Sequence, residues 1–133
     1  MQKTVLLVED ENQVMRLIVK ILEMRGYEVL HAEGSLEALM LSAAHPGSID
    51  LLLADVEIDQ TMSGIEVAKV LRRSRPRMRV LYISGYPLDS CADHGGDMVR
   101  KEIQELLAAF LPKPFTPSSL AENVRRAIEE LPV

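Results

Sequence analysis

The chain has 133 residues, which is enough for one compact domain with a single sizeable core. Its 47% hydrophobic and 26% charged content is typical of a water-soluble globular protein. A net charge of -5 argues against direct electrostatic binding to nucleic acid or to an anionic membrane, and no apolar run approaches the roughly 18 residues of a membrane span. We therefore expect a single cytoplasmic domain over residues 1–133.

Apolar runs and helical periodicities alternate along the chain. The apolar runs predict five strands, at residues 5–8, 27–32, 49–54, 80–83 and 110–111. Apolar residues at helical spacing predict helices at residues 14–22, 35–43, 64–73 and 98–109, and a last helix that starts after Thr116. In the second helix, Ser35 is the expected N-cap and the buried residues are expected to be Leu36, Leu39, Met40 and Ala43.

Five strand–helix units without a repeat or a linker indicate an α/β fold, a doubly wound sandwich with helices on both faces of a parallel sheet. Ligands in such folds bind at the carboxyl ends of the strands. Polar residues stand at these ends: Glu9 and Asp10 after the first strand, Asp55 after the third, Ser84 after the fourth and Lys113 after the fifth. The fold should therefore bring these five residues together.

This set of side chains favours phosphoryl chemistry. Three neighbouring carboxylates need a compensating cation, and hard oxygen ligands suit Mg²⁺. With the cation bound, Asp55 can act as a nucleophile toward phosphorus, while Lys113 and Ser84 contact the oxygens of the incoming group. The sequence thus predicts a metal-assisted phosphoryl-acceptor site.

Four segments at the ends of successive strands resemble the receiver domain of two-component response regulators. They are LLVEDE (6–11), LLLADVEIDQTMSG (51–64), VLYISGY (80–86) and FLPKPF (110–115). The sequences of these segments are most similar to those of the C-terminal receivers of hybrid sensor histidine kinases. The resemblance implies a flavodoxin-like (βα)5 topology with the strand order 2-1-3-4-5.

The resemblance also implies roles for the site residues. Asp55 would accept a phosphoryl group from a phosphohistidine on a sensor histidine kinase or a histidine phosphotransfer protein. Glu9, Asp10, Asp55 and the backbone carbonyl of Glu57 would hold Mg²⁺, and Lys113 would be the family's lysine. The protein would catalyse only its own phosphorylation and dephosphorylation, and would not be an enzyme with a separate substrate.

The switching residues implied by the family are Ser84 and Phe110. Ser84 would follow the phosphoryl group, Phe110 would move inward, and the surface of the helix over 98–109, the fifth strand and the last helix would change its partners. A phosphorylation-dependent homodimer is a further expectation. A cis peptide bond is expected between Lys113 and Pro114.

The chain departs from the family pattern at three places. Ile58 and Asp59 stand where the family often has Met-Pro, so the loop after Asp55 gains a charge. Phe110 replaces the commoner tyrosine and has no hydroxyl to hold the ring at the surface. The segment 87–109 is longer than expected.

Three other functions fit parts of the sequence. A flavodoxin-like nucleotide or flavin binder needs a Gly-, Ser- or Thr-rich turn after the first strand, where VEDENQ (8–13) instead presents acids. An aspartyl-phosphate phosphatase would use an acid at the position of Glu57, but the chain has no room for a cap domain. A receiver fold that binds partners without being phosphorylated is the remaining alternative, and the presence of Asp10, Asp55 and Lys113 weighs against it.

Overall fold

The computed structural model describes residues 2–84 and 109–129. These residues form five strands and four helices, which are β1 (Thr4–Val8), α1 (Asn12–Met24), β2 (Glu28–Ala32), α2 (Ser35–Ala44), β3 (Leu51–Asp55), α3 (Gly64–Ser74), β4 (Arg79–Ser84), β5 (Ala109–Pro112) and α4 (Pro117–Glu129). The helix predicted over 98–109 falls outside the described residues apart from Ala109, which belongs to β5. None of the four helices combines the length and apolar character that crossing a membrane requires.

The strands form one parallel sheet in the order β2-β1-β3-β4-β5, which confirms the predicted topology. β2 lies on one side of β1, and β3, β4 and β5 follow on the other side. The strand order therefore reverses between β1 and β3, which is the topological switch point of the sheet. Val8 pairs with Ala54 in the register of these strands. The residues that follow them therefore meet at the carboxyl edge, where ligands bind in this class of fold.

Two separate hydrophobic cores lie on the two faces of the sheet. Alternate residues of each strand point to opposite faces. Leu6 and Leu52 pack in one cluster with α2 and α3, which we call the α2/α3 core. Leu7 and Leu53 pack in a second cluster with α1 and α4, which we call the α1/α4 core. β1 and β3 are consequently buried along their whole length, and their residues are apolar except for Thr4 at the start of β1 and Asp55 at the end of β3.

The predicted buried face of α2 is wrong for Leu36, Met40 and Ala43, which are exposed, but Leu39 is partly buried against the α2/α3 core. Leu36 is 67% exposed and Met40 is 63% exposed, whereas Ala38 and Ser42 are buried against the sheet. This helix carries apolar residues nearly all round, so hydrophobic spacing does not identify its inward face. The residues buried on that face are small: Ser35, Ala38 and Ser42.

Two of the predicted helix starts have different outcomes. Thr116 is confirmed as the cap of α4, because its Oγ1 accepts a hydrogen bond from the backbone N of Ser119 at 3.0 Å. Ser35 is not the N-cap of α2: the N-cap is Gly34, which has no side chain to offer, and Ser35 is the first helical residue. The side chain that caps α2 comes instead from Asp59, in the loop after β3.

Candidate functional site

Asp55 lies at the centre of the carboxyl edge as the last residue of β3. Its side chain is 12% exposed. One carboxylate oxygen, Oδ1, accepts a hydrogen bond from the backbone N of Glu57 at 3.0 Å, and the other, Oδ2, accepts one from Lys113 Nζ at 2.8 Å. An ionised carboxylate has about four lone-pair sites. Asp55 can therefore keep both contacts and still bind another group.

Lys113, directly after β5, contacts the end of β4 and two acids of the site. Its backbone N donates to the carbonyl oxygen of Ser84 at 2.8 Å, which fixes the residue beside the end of β4. Its ammonium contacts Asp55 and lies 3.7 Å from Glu9 Oε1. Burial lowers the pKa of Lys113, but its hydrogen bond and attraction to Asp55, together with attraction to Glu9, outweigh burial and raise the pKa above its usual value. The site thus contains a firmly charged cation.

Glu9 is a buried acid whose two carboxylate oxygens have different surroundings. It is 1% exposed, and its Oε1 accepts a weak hydrogen bond from the backbone N of Glu11 at 3.3 Å. Its Oε2 has no hydrogen-bond partner among residues 2–84 and 109–129. The pKa of the carboxyl is raised from 4.5 to about 7, mainly by burial; the charges of Asp55 and Asp10 contribute to the rise, and Lys113 and the hydrogen bond from Glu11 oppose it. Such an oxygen is suited to a cation.

The remaining predicted residues take different positions around this centre. Asp10 is exposed beside Glu9 and acts on it through its charge. Ser84 is buried at the end of β4, one strand away from Asp55. Phe110 lies in β5, paired in register with Tyr82, and is partly buried against the α2/α3 core. Glu57 is exposed, and its backbone faces Asp55.

The residues present fit a hard cation. In the described ranges no three acidic, histidine or cysteine side chains are grouped closely enough to hold a metal by themselves. Mg²⁺ does not need such a cage, because it keeps several waters and uses one or two carboxylates. The Oε2 of Glu9, which has no hydrogen-bond partner within the described ranges, and the remaining lone pairs of Asp55 offer suitable oxygen ligands at the switch point.

The sequence reasoning missed the structural role of Gly64. A Cβ at this position would overlap the backbone oxygen of Asp55, and the backbone N of Gly64 donates to the carbonyl oxygen of Val56 at 2.8 Å. The start of α3 is therefore pressed against the backbone of the predicted acceptor. The sequence shows a glycine at this position, in the MSG segment, but the pattern predicts only that a helix starts there.

The cis bond between Lys113 and Pro114 is confirmed. The charge of Asp59, which was expected to lie near the site, is bound by backbone N–H groups of α2 and of its own loop. Its carboxylate binds the first turn of α2, with Oδ2 2.8 Å from the backbone N of Ser35. Since the positive end of the helix compensates this charge, Asp59 does not simply add a fourth acid to Glu9, Asp10 and Asp55.

Comparison with known proteins agrees with this geometry. Residues 5–125 match the family described as the response regulator receiver domain. Sensor kinase CckA of Brucella abortus (strain 2308) is 35% identical over 127 residues, which are 96% of this chain and 13% of the kinase. Response regulator receiver protein CpdR of the same strain is 36% identical over 129 residues, which are 95% of this chain and 97% of that protein.

A solved structure extends the likeness to three dimensions. The receiver domain from hybrid histidine kinase CckA is 33% identical to this chain, with a TM-score of 0.74, and the alignment covers 95% of this chain and 99% of that one. The matched residues 5–125 include every predicted site residue. The chain therefore belongs to the response regulator receiver family, whose domains accept phosphoryl groups in two-component signal transduction.

Proposed function

We propose that Asp55 is the residue that accepts the phosphoryl group, and that residues 1–133 act as one receiver unit. The observation that carries this proposal is the contact of Asp55 Oδ2 with Lys113 Nζ at 2.8 Å, at the switch point of the sheet. A carboxylate there is held by a hydrogen bond on each oxygen, and it faces a cation that can also bind the incoming group.

The transfer requires one bond to form and one to break. A carboxylate oxygen of Asp55 forms the O–P bond, and the P–N bond of the phosphohistidine breaks with its electron pair left on the imidazole. Lys113 has three N–H donors, so it can keep Asp55 and also bind a phosphoryl oxygen. Ser84, at the end of the neighbouring strand, supplies a hydroxyl donor to the same group.

Receiver domains generally bind Mg²⁺ in an acidic pocket of this kind. In this chain Glu9, Asp10, Asp55 and the backbone carbonyl of Glu57 would hold the ion. When bound, it would neutralise the charge on the phosphoryl oxygens during transfer. The Oε2 of Glu9 supports this assignment, because it is a buried oxygen without a hydrogen-bond partner in the part of the chain that the structure describes, and a cation would satisfy it.

Receiver domains interact with histidine kinases or phosphotransfer proteins, and the likeness to sensor kinase CckA supports a partner of this type for the present chain. The protein would act in the cytoplasm and would catalyse only its own phosphorylation and dephosphorylation. After phosphorylation, Ser84 would approach the phosphoryl group and Phe110 would turn toward the α2/α3 core, on which it already packs. The changed surface would then select partners, including a second copy of the chain.

Intact mass after incubation with a small acyl-phosphate donor tests the acceptor assignment. The wild type should gain one phosphoryl group in the presence of Mg²⁺ and none with excess chelator, and Asp55→Asn should gain none. Asp50→Asn is a matched control, since Asp50 binds the backbone N of Thr4 at the opposite end of the sheet. An adduct on Asp55→Asn, or none on the folded wild type, would contradict the proposal.

A further inference from the structure

The carboxylate of Asp59 joins two segments that are far apart in the sequence. Its Oδ2 accepts a hydrogen bond from the backbone N of Ser35 at 2.8 Å, and its Oδ1 accepts one from Ser35 Oγ at 3.1 Å. The same Oδ1 accepts from the backbone N atoms of Thr61 and Met62 at 3.0 and 2.9 Å. One exposed side chain therefore fastens the loop between β3 and α3 to the first turn of α2.

The surroundings of Asp59 are shaped for this contact. The N-cap of α2 is Gly34, which leaves the first backbone N–H groups without a side-chain acceptor of their own. A Cβ at Gly34 would lie 3.0 Å from Asp59 Oδ2, so the glycine leaves room for the carboxylate. Hydrogen bonds from the backbone N of Ser35 and of Met62 hold the pKa of Asp59 below its ordinary value.

The loop that Asp59 fastens is the one that carries Glu57. The backbone N of Glu57 donates to Asp55 Oδ1 at 3.0 Å, and the next side chain, Ile58, is 4% exposed in the α2/α3 core. Asp59 follows directly and binds α2. Three consecutive residues are thus held by the acceptor, the core and a neighbouring helix, which fixes the backbone of Glu57 at the edge of the site.

We propose that Asp59 is a positioning residue: by binding the first turn of α2 it holds the backbone of Glu57 against Asp55 and thereby sets the affinity of the site for Mg²⁺. This inference rests on the proposed function, in which the Glu57 carbonyl is an Mg²⁺ ligand. Without the contact to α2, the loop would have more conformational freedom before the ion binds. It would lose that freedom on binding, which weakens the affinity.

Arg75 provides a matched control at the other end of α2. Its guanidinium donates to Ser42 Oγ at 2.9 Å and to the carbonyl oxygens of Ser42, His45 and Gly47 at 2.9, 3.0 and 2.8 Å. Arg75→Ala therefore also removes a side chain that anchors α2, but it leaves the loop between β3 and α3 untouched. Any effect that comes from loosening α2 alone should appear in both variants.

The experiment is an Mg²⁺ titration of the isotope-labelled protein, followed by the amide signal of Glu57. Hydrogen exchange of the amides of Glu57 and Ile58 is measured in parallel without metal. Asp59→Ala should raise the dissociation constant for Mg²⁺ about tenfold, as is common when a residue that orients a ligand is lost. It should also speed exchange. Asp59→Asn, which keeps one oxygen acceptor, should lie between wild type and Asp59→Ala.

Arg75→Ala should leave the Mg²⁺ dissociation constant unchanged. The inference is overturned if Asp59→Ala binds Mg²⁺ as the wild type does, if Arg75→Ala weakens binding equally, or if the wild type does not bind Mg²⁺. A wild type that binds Mg²⁺ but gains no phosphoryl group would refute the proposed function alone, since the titration still decides the role of Asp59. If Asp59→Ala does not fold, Asp59→Asn decides it.

Discussion

Replacing Glu9 with Gln should change how the stability of the metal-free protein depends on pH. Glu9 is 1% exposed, and burial raises its pKa from 4.5 to about 7. Between these two values the folded protein binds more protons than the unfolded chain does. The stability contributed by the protonated carboxyl is therefore fully present below about pH 4.5 and is lost as the pH rises through about 7.

The size of the effect follows from the shift. One pKa unit corresponds to roughly 1.4 kcal/mol, so ionising Glu9 in the folded protein costs about 3 kcal/mol more than in the unfolded chain. Most of this difference, about 2–3 kcal/mol, develops between about pH 5 and pH 8. Gln has nearly the same size and cannot ionise. The free energy of unfolding of Glu9→Gln should therefore rise by that amount relative to wild type across this interval.

Urea unfolding at about pH 5 and about pH 8, in the presence of a chelator, measures this difference in the free energy of unfolding. Glu23→Gln is the control, because Glu23 is an exposed acid on α1 outside the site, and it should follow the wild type. Parallel pH profiles for wild type and Glu9→Gln would refute the prediction, since they would mean that solvation or the charge of Lys113 compensates the burial of the carboxyl fully in the folded protein.

Three further substitutions test other contacts. Lys113→Met should abolish phosphorylation and lower the free energy of unfolding by about 1–3 kcal/mol, measured with urea, because Asp55 loses the donor on Oδ2; an unchanged adduct would contradict this. Gly64→Ala should cost about 1–3 kcal/mol and slow phosphorylation, because the new methyl group meets the backbone of Asp55, and wild-type behaviour would show that α3 can move aside. Ala38→Leu should lower the free energy of unfolding by a similar amount, whereas Leu36→Ala should change it by no more than about 0.5 kcal/mol. A larger loss for Leu36→Ala than for Ala38→Leu would mean that Leu36 is on the buried face of α2 after all.

The strands and the site could be predicted because both depend on short stretches of sequence. Leu51, Leu52 and Leu53 form a short apolar run that is typical of a strand buried on both faces, and Asp55 ends the strand. Parallel pairing then brings the ends of distant strands to one edge, which is why Lys113 could be expected beside Asp55. The 2.8 Å contact between them confirms that proximity.

The face of α2 and the role of Asp59 could not be predicted, because both depend on tertiary packing. Leu36 and Met40 fit a helical apolar stripe as well as Ala38 does, and only the close approach of the sheet selects the small residue. Asp59 caps a helix that begins 24 residues earlier in the chain. Local patterns predict caps from neighbouring residues, so a cap contributed by another loop leaves no local pattern.

The sheet keeps the two hydrophobic cores apart, and this has a consequence for how such a domain can diverge. Leu6 and Leu52 belong to the α2/α3 core, whereas Leu7 and Leu53 belong to the α1/α4 core. Because the sheet separates the side chains of the two cores, substitutions on opposite faces should combine nearly additively. During evolution, the helices on one face can therefore change to bind a new partner protein while the core on the other face keeps its packing.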